Sequence, residues 1–377
     1  MWLLSKLPVF QAVNTWCPNF RTLTFLRFCI GSAKEIPVSL KEADWKELYR
    51  IAQKQALLGV LFHGIRRLPK ELAPEQKLLM QWMAMAEQIR KQNIKLFQDS
   101  VKVCQNFENE GFANCILKGQ GNALLYPDPY MRTPGDIDIY LSGGRRKIME
   151  YVDRVCPNQV MRYHHVDFPV MKMAIEVHFT PSYMFCPINN RRMQKWFKEE
   201  MGEQCAHRVS LPDGYGEIHV PTASFNVIYI LSHLYRHIFT EGIGLRQLLD
   251  YYYVLISDDL LLIRDRVQKE LKHLGLWKFA QAVMFVMKVV FGLSENRMIA
   301  PMDEKEGRFL LDEIMRGGNF GQYDDRMGSK GGESKIHRYF RMNLRNLRFV
   351  KHYPTEAVCE PVFRTWFSGW KFINRIK

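Results

Sequence analysis

The sequence predicts an α+β protein, a small mixed sheet flanked by N- and C-terminal α-helical regions. Three observations lead there. Long stretches on both sides of the chain's middle place apolar residues at helical spacing. The middle alternates apolar and polar residues over short runs bounded by glycine and proline, the pattern of strands. The most chemically distinctive run, Lys118-Gly119 followed by Asp136-Ile137-Asp138-Ile139, falls in that middle.

Taken in order, residues 1–98 read as a helical region. A helix near Phe20–Ile30 stops at Gly31, and helical spacing then runs from Pro37 to Leu68 through Trp45, Leu48, Ile51, Val60, Leu61 and Ile65. Pro74 opens a long helix whose stripe Ile94, Phe97, Val101, Cys104 and Phe107 is closed by Gly111. Residues 99–220 form the sheet-bearing core. Its strands are Asn114–Lys118 and Asp136–Leu141, then a helix from Gly143-Gly144 to Pro157, then two β-rich runs, 160–168 and 169–179, that pair as a hairpin. Asn189–Met201 reads as a short basic helix and Val209–Val220 as a turn-rich segment. Residues 221–316 are helical again, capped by Pro221-Thr222 and striped by Ile228, Leu231, Leu234, Tyr235 and Ile238, then Leu245, Leu248, Leu249, Tyr252 and Leu255. A Gly-rich loop, 317–334, leads to a basic aromatic tail, 335–377, in which Lys and Arg far outnumber Glu356 and Glu360.

Composition narrows the class. Hydrophobic residues make up 47% and aromatics 13% of 377 residues, a packed globular protein and not a disordered one. A net charge of +14 implies an anionic partner: nucleotide, nucleic acid, acidic glycan or lipid headgroup. The 8 cysteines show no C-x-x-C pair or zinc-like spacing, the usage of reduced thiols in a cytoplasmic protein. The opening Met1–Pro8 is broken by Lys6 and Pro8 and shows no small-residue cleavage site. No run approaches the roughly 18 apolar residues of a spanning helix. The expectation is a soluble cytoplasmic protein. For the tail, a stacking surface for nucleic acid and contact with a membrane surface are the alternatives to packing on the body.

Asp136 and Asp138 stand two apart, so on a strand they share a face opposite Ile137, Ile139 and Leu141. Two carboxylates about 7 Å apart repel and raise each other's pKa unless a cation is shared between them. Hard oxygen donors of this kind suit Mg²⁺ together with phosphate oxygens. The Gly119 turn ahead of a short helix offers free backbone N–H groups to an anion. The run Leu117-Lys118-Gly119, Tyr126-Pro127, Arg132 and Gly135-Asp136-Ile137-Asp138-Ile139 resembles the uncharacterised nucleotidyltransferase family of bacterial proteins, within the DNA polymerase beta-like superfamily. Similar wording occurs in nucleotidyltransferase toxins. The chain departs from the superfamily pattern in two places. Gln120 stands where Gly or Ser is usual, and an inserted Tyr126–Gly135 segment separates the turn from Asp136.

The resemblance implies a small polymerase beta-like nucleotidyltransferase core. It implies Mg²⁺ or Mn²⁺ held by Asp136, Asp138 and a third acid from a neighbouring strand. Glu176 is the candidate, with Asp167 as runner-up; Glu176 shares a strand face with His178. Lys118, Gly119, Gln120 and Arg132 would bind the nucleotide, ATP or another nucleoside triphosphate. His178, His237 and Arg246 would touch substrate. His233 and His237 at i, i+4 lack the inner Glu of a zinc protease. Arg246 and Asp250, also i, i+4, either pair along the helix or line the cleft. The implied activity is transfer of a nucleotide monophosphate to a hydroxyl acceptor, a small molecule or RNA. Two alternatives remain: a non-catalytic nucleotide-binding regulatory module, and an RNA-directed enzyme of toxin or defence type.

Overall fold

The computed structural model describes residues 20–171, 173–324, 326 and 334–374. The expectations for Met1–Pro8, for part of the Gly-rich loop and for Arg375 and Lys377 lie outside these residues. The helical layers and the small mixed sheet of the α+β reading are both present. No helix of the described residues is long and apolar enough to cross a membrane.

The N-terminal helices are α1 (Phe20–Cys29), α2 (Trp45–Lys54), α3 (Leu58–Ile65) and the 34-residue α4 (Gln76–Asn109). The continuous helical spacing from Pro37 to Leu68 is not one helix. Asp44 caps α2, its Oδ1 accepting from the backbone of Lys46 and Glu47, and the chain turns at Ala56, whose φ is 55°. Apolar periodicity alone does not register a single left-handed residue. α4 stops at Gly111, whose φ of +77° suits the residue after a helix end.

The core sheet has the order β1-β2-β4-β3, from β1 (Asn114–Ile116), β2 (Ile137–Leu141), β3 (His165–Asp167) and β4 (Ile175–His178). β2 and β4 run parallel, joined through α6 (Gly144–Val155) and β3; the other pairings are antiparallel. A four-residue turn of helix, α5 (Gln120–Ala123), follows β1. The segment read as turn-rich is a second, two-stranded sheet, β5 (Arg208–Ser210) with β6 (Glu217–His219). Strands of three residues with exposed Arg208, Ser210 and Glu217 carry almost no alternation signal.

The sheet separates two cores. Ile137, Ile139, Leu141, Val166, Ile175 and Val177 point to one face and pack on α4 and α6 through Leu96, Phe107, Ile148 and Val152. Each such side chain, fully buried, contributes roughly 1.5–3 kcal/mol. Cys115 and Leu117 point to the other face and join the larger helical core. That core is built by α7 (Pro187–Gln204), α8 (Ala223–Thr240), α9 (Leu245–Leu255), α10 (Asp259–His273), α11 (Trp277–Val286) and α12 (Glu304–Gly317). A π-turn extends α11 to Phe291, and the Arg27 guanidinium reaches across from α1 to donate to the terminal carbonyls of Lys288, Val289 and Val290.

The basic aromatic tail folds back as α13 (Lys335–Val350) and α14 (Pro354–Ile373). Phe349, Tyr353 and Ala357 are buried on the body. Glu356 accepts from the backbone of Phe185 (2.6 Å) and Cys186 (3.2 Å), and so caps the start of α7 from a distant helix. Phe363 stacks on Tyr183 at 5.1 Å.

Candidate active site

The register of the parallel pair builds the site. Asp138 on β2 lies beside Glu176 on β4, which lies beside Asp167 on β3. The next row is Tyr140, His178 and His165. Because side chains alternate, these two polar rows occupy the face opposite the Ile/Val face. A sheet so divided can bury one side in oil and turn the other toward α8 and α9.

Asp138 is 4% exposed and well supplied with partners. Its Oδ1 takes the Lys118 ammonium at 2.9 Å and His178 Nε2 at 3.0 Å. Burial pushes this carboxyl up, but Lys118 and His178 outweigh it and hold the group well below the usual carboxylate range. Asp136 precedes β2 and sits exposed at the mouth. Repulsion from Asp138, with lost hydration, pushes it up to about 6. Glu176 Oε2 lies 3.4 Å from His165 Nδ1 and 3.6 Å from His178 Nε2. Burial of Glu176 is outweighed by these imidazoles, so its carboxyl is lowered. Desolvation lowers His165 to about 3 and His164 well below the usual imidazole value.

Asp138, Glu176 and His178 each offer one ligand atom, all within 4.8 Å of one another. Two carboxylates and an imidazole in that space fit a divalent cation, and the Lys118 ammonium supplies the balancing charge in this structure. Asp136 stands outside that close group.

The cleft in front is lined by Lys118, Gly119, Asp136 and Asp138 on one side and by His233, Arg246 and Asp250 on the other. Gly119 holds φ +57°, a conformation glycine tolerates. Gln120 is 3% exposed and its Oε1 has no hydrogen-bond partner among the described residues. Arg132 is also buried, and its guanidinium forks onto Asp250, Nε to Oδ1 and Nη2 to Oδ2, both at 2.8 Å. Tyr126 donates to the same carboxylate at 2.7 Å. The i, i+4 pairing of Arg246 with Asp250 is therefore replaced by a longer-range fork. Arg246 instead donates to the Thr133 carbonyl at 3.0 Å and lies over the Phe320 ring.

Sequence reasoning named Lys118, His233 and His237 but passed over Arg236 in the row they form, and it passed over the pair His164 and His165. Lys118 Nζ contacts His233 Nε2 at 3.4 Å, and Arg236 lies 3.3 Å from His233 and 3.0 Å from His237, so a basic row on α8 faces the carboxylates. His164 and His165 gather around Glu176 and His178. A helix periodicity centred on Leu and Ile hid the first, and only the doubled histidine flagged the second.

No curated protein and no solved structure matches the chain. Residues 41–292 match the family described as uncharacterised nucleotidyltransferase. That stretch spans α2 through the end of α11, and so takes in both the acidic sheet face and the basic helices opposite it. The chain belongs to this nucleotidyltransferase family, a description that implies a nucleoside triphosphate substrate.

Proposed function

We propose that the protein moves a nucleotide monophosphate from a nucleoside triphosphate to a hydroxyl acceptor, on a polymerase beta-like core. Asp136, Asp138 and Glu176 would hold Mg²⁺ or Mn²⁺, with His178 beside them. The observation that carries this reading is the lateral pairing of Asp138 with Glu176 across parallel strands, facing a basic helix row. A bound dication supplies Lewis-acid polarisation of phosphate and acceptor oxygens. The chain's own residues do the rest. Lys118, now neutralising Asp138, is the cation best placed to turn to a phosphate oxygen once that carboxylate has another partner. His178 donates to Asp138 and keeps its oxygens aimed at the cleft. Arg246, anchored on Thr133, presents the remaining charge to the triphosphate. Arg132, itself on the cleft lining, fixes Asp250 and the wall of α9.

The test is transfer of label from α-³²P ATP, CTP, GTP and UTP with Mg²⁺ or Mn²⁺, to total RNA and to a metabolite pool in parallel. Label in RNA favours the RNA-directed alternative, which the +14 charge suits. Nucleotide retained without transfer, unchanged by Asp138→Asn, would replace the enzyme with the regulatory binding module.

A further inference from the structure

The same sheet face carries a second convergence that nucleotidyl transfer does not use. His164, His165 and His178 are 4%, 8% and 1% exposed, and one nitrogen from each lies within 4.8 Å of the others. His164 Nε2 is 3.3 Å from His165 Nδ1, His165 Nδ1 is 3.4 Å from Glu176 Oε2, and His178 Nε2 is 3.6 Å from that oxygen. Ligands at about 2.0–2.1 Å from a tetrahedral ion stand about 3.3–3.4 Å apart, and the His164–His165 spacing matches one such edge. Burial supplies a second sign. The ring nitrogens outside these contacts, His164 Nδ1 and His178 Nδ1, have no hydrogen-bond partner among the described residues, an unusual state for two imidazoles so enclosed. The cluster is not sealed, because Glu176 and Asp167 border it with side chains 28% and 44% exposed.

We propose that His164, His165 and His178 form an imidazole-rich seat for a borderline dication, Zn²⁺ above all, next to the carboxylate seat, sharing His178 with it and bordered by Glu176. Three nitrogen donors favour Zn²⁺ over Mg²⁺, which prefers oxygen ligands and keeps its water. The inference stands on ligand geometry and does not require the transfer reading.

The test uses the full chain, stripped with chelator, loaded with ZnCl₂, desalted and analysed for metal. Co²⁺ loaded in its place reports ligand geometry through its visible absorption. The expected result is one tightly held zinc, retained in excess Mg²⁺, with affinity falling roughly tenfold or more in His165→Gln. His237→Gln, which alters the other histidine pair, leaves zinc bound. Circular dichroism of each variant separates ligand loss from unfolding, and His164→Asn serves if His165→Gln does not fold. Zinc that washes off, that Mg²⁺ displaces, or that follows His237 rather than His165 overturns the proposal. Asp138→Asn tests the transfer reading separately, since it removes label transfer without taking a ligand from this seat.

Discussion

Arg132→Met isolates the buried fork that joins the sheet-bearing core to α9. Arg132 and Asp250 have side chains only 5% and 8% exposed, so water does little to screen or replace their contact. Removing the guanidinium deletes two hydrogen bonds of 2.8 Å and leaves the Asp250 carboxylate with Tyr126 alone as a donor. Breaking a buried pair from one side costs about 3–5 kcal/mol, a large share of the about 5–15 kcal/mol that holds a typical domain folded. The double variant Arg132→Met/Asp250→Leu should recover most of that loss, keeping a deficit of about 1 kcal/mol for the orphaned Tyr126 hydroxyl. Urea titration followed by tryptophan fluorescence and circular dichroism gives the cycle. The pH dependence has a definite sign. Burial raises the Asp250 carboxyl, but Arg132 outweighs it and depresses the folded-state pKa. The unfolded chain thus binds more protons, and the stabilisation present above the ordinary Asp value fades as pH falls through the depressed one. Arg132→Met should flatten that acid arm. A wild-type urea midpoint for Arg132→Met, coupled with lost nucleotide binding, would refute the structural role and return Arg132 to the substrate.

Other perturbations follow from the same geometry. Asp138→Asn should lower transfer by on the order of a hundredfold or more. It should also cost about 1–3 kcal/mol, because Lys118 and His178 lose their shared acceptor. Loss of a repulsive acid should instead stabilise the fold at Asp136. Its carboxyl, raised to about 6, disfavours the folded state fully above that pH and not at all below the ordinary Asp value. Asp136→Asn should therefore gain about 0.5–1 kcal/mol at pH 8, after allowance for solvent screening at an exposed group, and nothing at pH 4, as thermal melts at the two pH values would show. Gly59→Ala drives a methyl into the Met131 carbonyl oxygen and should cost about 1–3 kcal/mol by urea titration. Glu356→Ala should lower stability by about 2 kcal/mol and Glu356→Gln by less, since the amide keeps one acceptor for Phe185 and Cys186.

Much of this layout was legible before coordinates. The alternation around Ile137, Ile139 and Leu141 located a strand because a half-buried sheet enforces a period of two. Pro74 and Gly111 bracketed α4 because one cannot continue a preceding helix and the other readily leaves one. Local pattern could not show that β2 and β4 lie side by side and parallel, which sets Asp138 next to Glu176. Nor could it choose Arg132 over Arg246 as the partner of Asp250, because the fork spans 118 positions while the helical alternative spans four. Ala56 and the β5–β6 hairpin escaped for the opposite reason, being single-residue or three-residue features below the length at which periodicity registers.

The reach of α14 has a consequence for biosynthesis. Tyr183 touches His164 on one side, at 5.1 Å between ring centres, and rests against Phe363 on the other. The carboxylate of Glu356 fixes the backbone two and three residues further on. A ribosome that has not yet made residue 363 carries a nascent chain whose acidic strands are complete but whose aromatic backing is missing. The centre is thus assembled late, and a translation arrest in the stretch after α12 should yield a chain with its sheet in place and its chemistry still silent.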